Sequence, residues 1–222
     1  LILDGNGQPK NSTLKPFDVD VLKDYKAGLS NIYKKLDNQT FSNIDEVRSE
    51  LLAFGSDGAN YPLFVLSKDG EKSYVVPMVG TGLWGPIWGY VAVADDGKTV
   101  VGAVFDHKSE TPGLGAEIKE ASVQIPFIGK TIYDESGEFT GIKVMKGGAK
   151  GSEHGLDSIS GGTITSNGVT EMIVRTLKIY EPYLAGLKGD TAVDLMETVM
   201  DSATVALDSL GNAIVPDTTV QN

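Results

Sequence analysis

Cysteine is absent from this 222-residue chain. Disulfides, thiolate nucleophiles and Cys-ligated zinc or iron–sulfur centres are excluded together. Clustered positive charge is also missing. The 19 Lys and Arg are scattered among 30 Asp and Glu, for a net charge of −11. Holding a phosphate backbone requires grouped cations, so nucleic acid is not an expected partner. No apolar run approaches the roughly 18 residues of a membrane-crossing helix, and no signal peptide is visible. Histidine occurs only at His107 and His154, which leaves little for imidazole chemistry. What remains is 41% hydrophobic and 22% charged, the balance of a folded, soluble domain with a real core. The first residue is Leu1 and not methionine, so a mature or trimmed form, with a membrane anchor missing from it, stays open.

Three regions differ in pattern. Residues 1–60 read as a helical region, with Leu22, Tyr25, Leu29, Ile32, Tyr33 and Leu36 at helical spacing. Asn43 and Glu46 form a capping box ahead of Val47, Leu51 and Leu52. Residues 61–187 begin with the strand-like runs YPLFVLS, SYVVPMVG, IWGYVAVAD and TVVGAVFD. Lys68-Asp69-Gly70 and Asp95-Asp96-Gly97-Lys98 supply turns between them, and YVAVADDGKTVVGAVF reads as a hairpin about Asp96-Gly97. A helix is expected from about Asn167, burying Val169, Met172, Ile173, Leu177 and Tyr180, and ending or kinking near Pro182. Residues 188–222 hold the amphipathic stretch AVDLMETVMDSATVAL and a polar tail. Strands and helices alternate too irregularly for a doubly wound parallel sheet. The expected class is α+β, a twisted, largely antiparallel sheet packed on helices.

Three stretches invite chemistry. Gly80-Thr81-Gly82-Leu83-Trp84-Gly85 matches GxGxxG. That pattern binds dinucleotides only where it opens a helix, and here Pro86 leads straight into a strand. The turn is either a strand connection with buried indoles at Trp84 and Trp88 or an aromatic wall beside a planar ligand. His107 and Glu110 could be paired metal ligands, but Thr111-Pro112-Gly113 is a turn and no further ligand completes a set, so no metal is expected. The third stretch, Asp157-Ser158-Ile159-Ser160-Gly161-Gly162-Thr163-Ile164-Thr165-Ser166, places more hydroxyls before a helix than a cap can use. Either this is an over-polar N-cap, or the unpaired N–H groups and the positive end of the dipole hold an anion there.

Asp157-x-x-Ser160-Gly161-Gly162-Thr163-x-Thr165 resembles the flavinylation motif D-x-x-(S/T)-G-A-T-x-(S/T) of the FMN-binding domain family. Gly82-Leu83-Trp84-Gly85, His107-x-x-Glu110-Thr111-Pro112-Gly113-Leu114-Gly115-Ala116 and Ile142-Lys143-Val144-x-Lys146-Gly147-Gly148-Ala149 resemble the same family in the same order. Gly162 departs from it, since alanine is common there; the swap is small and should preserve the turn. Within the family, Ser166-Asn167-Gly168-Val169 resembles the C subunits of Na⁺-translocating NADH:quinone reductases, with the G subunits of Rnf complexes as paralogues.

The resemblance implies FMN joined by a phosphoester to Thr163, with Thr165 as the competing acceptor. It places Ser160, Gly161, Gly162, Thr165 and Ser166 about the phosphate. Leu83 and Trp84 would lie beside the ring, and Glu110, Thr111, Gly113, Leu114 and Gly115 would supply polar contacts and close backbone approach. It further implies an electron carrier with no catalysis of its own. That carrier would be matured by a flavin transferase and assembled with other subunits of a membrane reductase. An N-terminal helix would hold it in the inner membrane by a single pass, with the flavin domain on the extracytoplasmic side. A non-redox binding module using the same cleft is the alternative from another class.

Overall fold

The structure, a computed structural model, describes residues 1–35, 60–147 and 149–187. The described residues all fall within one compact unit, Leu1–Lys188. The helix expected after residue 188 lies outside the described residues, as do Leu36, Asn43 and Glu46. Both the helical region and the strand-rich region thus fall in one unit. The short strand β1 (Ile2–Leu3) pairs with β2 (Tyr61–Pro62). Helix α1 (Val21–Lys35) lies between them and has Asp24 in its first turn.

The strand-like runs form the sheet. Strands β3 (Phe64–Lys68), β4 (Glu71–Thr81), β5 (Pro86–Ala94) and β6 (Val100–His107) pair antiparallel in that order. Asp69 at φ 54° and Gly70 at φ 86° join β3 to β4. Positive φ at both central residues is the turn whose twist matches the strands it connects. The β5–β6 hairpin forms about Asp96-Gly97 as its sequence predicts, with a register shift at Ala92/Val93. β3 pairs only with Glu71–Val75, so among the described residues no strand pairs with the end of β4 on that side. Arg175 meets this edge, donating from Nη2 to the Val79 carbonyl at 2.6 Å. Its Nε pairs with Glu171 at 2.5 Å and its guanidinium lies 5.0 Å over the Tyr25 ring. Burial works against the Arg175 charge, and Glu171 more than offsets it, holding the pKa above its ordinary value.

Past β6 the chain makes 3₁₀ turns at Gly115–Lys119 and Ile125–Phe127 around α2 (Ala121–Gln124). A parallel pair follows, β7 (Lys143–Met145) with β8 (Gly155–Asp157). Helix α3 (Thr163–Gly186) then crosses the sheet and contacts β4 most extensively among the strands. Its predicted apolar face is buried in full: Val169, Met172, Ile173, Leu177 and Tyr180. Each large side chain enclosed there contributes about 1.5–3 kcal/mol. Facing it are Tyr74, Val76 and Met78 from alternate positions of β4, with Val91 and Val93 of β5. The helix passes through Pro182, where an end or a kink was expected nearby, and ends at Gly186. Proline removes one backbone bond, but Tyr183 and Leu184 just beyond it are buried, and that packing carries the helix on.

Candidate functional site

A single buried carboxylate organises one end of the sheet. Glu110 is 5% exposed. It accepts a hydrogen bond from the Thr165 hydroxyl at 2.5 Å through Oε2 and from the Trp84 backbone N–H at 2.8 Å through Oε1. Its own N–H donates to His107 Nδ1 at 3.1 Å. Three segments distant in sequence therefore meet: the β4–β5 turn, the loop after β6 and the first turn of α3.

Two glycines make room for this contact. A Cβ at Gly82 would stand 2.6 Å from Glu110 Oε1 and 2.9 Å from its Cδ. A Cβ at Gly115 would stand 2.5 Å from Oε2 and would overlap the Thr165 hydroxyl. Neither glycine has a positive φ. Space, and not backbone freedom, demands them.

The GxGxxG stretch closes a hairpin. The Gly82 N–H donates to the Gly85 carbonyl at 2.9 Å, Thr81 pairs with Pro86, and no helix follows. Trp84 is 63% exposed and Leu83 39%, so the buried-indole reading is wrong for Trp84; Trp88 is half-buried. Ser109 Oγ holds the turn by donating to the Trp84 carbonyl at 3.0 Å. Across the clamp Leu114 is 42% exposed and Ile164 40%. Gly113, at φ 75°, turns the loop, and both the Leu114 and the Ala116 N–H donate to the Thr111 carbonyl at 3.1 Å. His107 and Glu110 stand at a strand end and its loop, not on a helix, and His107 Nδ1 is engaged by backbone.

The hydroxyl-rich stretch divides by the phase of α3. The helix starts at Thr163, four residues before the expected Asn167, with Gly162 as its N-cap and no side-chain capping bond. The surplus hydroxyls do not cap it. Thr165 lies on the stripe that continues through Val169, Met172 and Thr176, and is 2% exposed. Ser166 is buried as well, and its Oγ accepts the Ile159 N–H at 3.2 Å. Ser160, Gly161 and Thr163 are exposed. No acidic residue occupies the first turn of α3. Gly161 has φ 72°, and a Cβ there would press on Leu114 Cδ2 at 2.5 Å. Beside the motif opens a hollow of about 730 Å³, lined by Gly113, Phe127, Lys130, Asp157, Ile159 and Ser160 among others. Leu83 and Trp84 do not line it.

Of the residues expected at the site, the structure joins Trp84, Glu110, Gly115 and Thr165 directly, and brings Leu114 against Gly161. The sequence pattern gave no sign of Ile164, of the inward turn of Glu110 or of its link to His107. Helical phase counted back from Val169 would have separated Thr165 from Thr163. The Glu110 contacts span 26 and 55 residues, and no local pattern announces them.

The FMN-binding domain family matches residues 82–178. The chain is 46% identical over 114 residues to the C subunit of the Na(+)-translocating NADH-quinone reductase of Vibrio anguillarum, covering 50% of this chain and 44% of that one. It thus spans less than half the length of that curated relative. Among solved structures, the C subunit of the same kind of reductase from Parabacteroides distasonis is similar at a TM-score of 0.62 and 35% identity, covering 82% of this chain and 75% of that one. Shewanella oneidensis NqrC is similar at a TM-score of 0.53 and 32% identity, over 61% of this chain and 66% of that one. Three of the four blocks that resembled the family in sequence are the segments that converge on Glu110, and the chain belongs to the FMN-binding domain family, among the relatives of the C subunits of Na⁺-translocating NADH-quinone reductases.

Proposed function

We propose that this chain carries FMN on the Thr163 hydroxyl through a phosphoester bond and serves as an electron-carrying subunit of a Na⁺-translocating NADH:quinone reductase. The observation that carries the reading is the contrast between the two threonines. Thr163 is exposed at the first residue of α3, whereas Thr165 is buried with its hydroxyl given to Glu110. A transferase can reach the first and not the second.

The residues present fit such a group. The positive end of α3 favours a phosphate anion by about 0.3–1 kcal/mol, and the first turn carries no acidic residue of its own, although Glu110 packs against it through Thr165. Gly161 lets backbone approach closely where a side chain would strike Leu114. Leu83, Trp84, Leu114 and Ile164 offer the exposed apolar surface a flat ring requires. Retention comes from the covalent bond, in which the Thr163 oxygen replaces the leaving group on an activated flavin nucleotide and the hydroxyl proton departs. FMN, when bound, supplies reversible electron transfer; Thr163 would hold it and the apolar surface of Leu83, Trp84, Leu114 and Ile164 would orient it.

A flavin transferase and the other subunits of the membrane complex are the partners this reading requires. An N-terminal membrane helix would place the flavin domain on the extracytoplasmic side. Expression with and without a flavin transferase tests it. Wild-type protein made with the transferase should be yellow and keep its flavin through denaturation, and Thr163→Ala should be colourless and folded. Colourless wild-type protein from that co-expression refutes the proposal.

A further inference from the structure

Glu110 is a large acidic side chain enclosed among groups that do no redox chemistry. Its carboxylate reaches the backbone of one turn and the hydroxyl of another, and a glycine stands against each oxygen: Gly82 at Oε1 and Gly115 at Oε2. Burying a carboxylate is unfavourable unless hydrogen bonds compensate, so an arrangement of this kind persists because several segments fit it together. On the near side of the clamp stand the exposed Leu83 and Trp84, on the far side the exposed Thr163 and Ile164.

We infer that Glu110 is a positioning residue: its carboxylate fixes the Trp84 turn against the first turn of α3 and commits Thr165, so that Thr163 is presented alone, in register with the ring-binding surface. This rests on the flavin reading above and adds to it a determinant of where and how readily the chain is modified. Glu110 touches none of the reacting atoms; it acts through Trp84 and Thr165.

The clamp predicts coupling. Glu110→Ala releases both partners, and Thr165→Val removes one with little change of shape. Co-expressed with the transferase, Glu110→Ala should carry at least about tenfold less FMN at Thr163 at early times. Thr165→Val should show a smaller loss, and the double variant no more than Glu110→Ala alone, because both changes break one connection. Glu110→Gln keeps an acceptor for Trp84 and reverses the second bond, its amide N–H donating to the Thr165 hydroxyl in place of accepting from it, and should recover at least half of the wild-type yield. In unlabelled protein the Trp84 amide should exchange with solvent at least about tenfold faster in Glu110→Ala and near the wild-type rate in Glu110→Gln.

Wild-type labelling in Glu110→Ala, independent additive losses in the double variant, or an unchanged Trp84 amide would each overturn the inference while leaving the flavin reading intact. Wild-type protein that takes no flavin defeats the flavin reading itself, and the Trp84 exchange still reports whether the clamp exists. Should Glu110→Ala not fold, Thr165→Val and its coupling to Glu110→Gln decide the matter.

Discussion

Two hairpin turns on one sheet are built in opposite ways. The β5–β6 turn is closed by its own residues. Asp96 Oδ1 accepts the N–H groups of Lys98 and Thr99 at 2.8 Å each, and Oδ2 accepts the Thr99 hydroxyl at 2.5 Å. Gly97 lies so close to the Leu184 carbonyl of α3 that a Cβ would overlap it. The β4–β5 turn has one bond of its own, Gly82 to Gly85, and is held from outside by Glu110 and Ser109. It leaves Trp84 63% exposed. The first turn is structure, sealed locally and packed on a helix. The second is a platform, fixed by distant residues so that an aromatic face stays open.

The contrast can be broken most severely at Gly97. With φ 67° and no room for a Cβ, Gly97→Ala should destabilise the protein by about 2 kcal/mol or more in denaturant unfolding. Flavin uptake per folded molecule should not change. A loss below about 0.5 kcal/mol would show that the turn is not sealed against α3.

Asp96→Ala comes next, at about 1–2 kcal/mol, from the loss of local hydrogen bonds. Its pH dependence sharpens the point. Partial burial pushes the Asp96 carboxyl up, but the Thr99 hydroxyl and the Thr99 and Lys98 N–H groups outweigh it, so the folded pKa lies below the ordinary carboxylate value. The stability gained is therefore complete above the unfolded pKa of about 3.9 and is lost as pH falls through the lower folded value. Urea midpoints measured between pH 5 and 2 should decline less steeply in Asp96→Asn than in wild type.

Trp84→Ala tests the platform. An indole this exposed contributes little to folding, so stability should move by less than about 0.5 kcal/mol. The environment of the bound flavin should change nonetheless, read as altered fluorescence or solvent quenching of labelled protein. A folding loss above 2 kcal/mol would make Trp84 a core residue. The smallest effect is expected at Gly162→Ala. A Cβ there meets Ile159 side-chain atoms at 3.1 Å, which asks the neighbour to give by a few tenths of an ångström, and both fold and flavin uptake should survive.

The same comparison explains what could be read in advance. Elements governed by local chemistry were legible: the four strands of the main sheet, the Asp69-Gly70 and Asp96-Gly97 turns, and the face of α3 from Val169 to Tyr180. The start of α3 was not, because Thr163 and Thr165 read as coil, and only Gly162, a cap without a side chain, marks the boundary. Passage through Pro182 depends on tertiary burial of Tyr183 and Leu184. At the site, the motif narrowed the acceptor to two hydroxyls. The proposed choice between them rests on the contact of Thr165 with Glu110, 55 residues away, and on glycines whose need is steric clearance between segments.

Mass spectrometry of the tryptic peptide 151–175 from protein made with a flavin transferase is the most direct test of the account. One FMN phosphoester should appear, with fragment ions assigning it to Thr163 and leaving Thr165 bare. An unmodified peptide, or the label on Thr165, would contradict the claim that the open hydroxyl carries the flavin while the clamped one holds the site together.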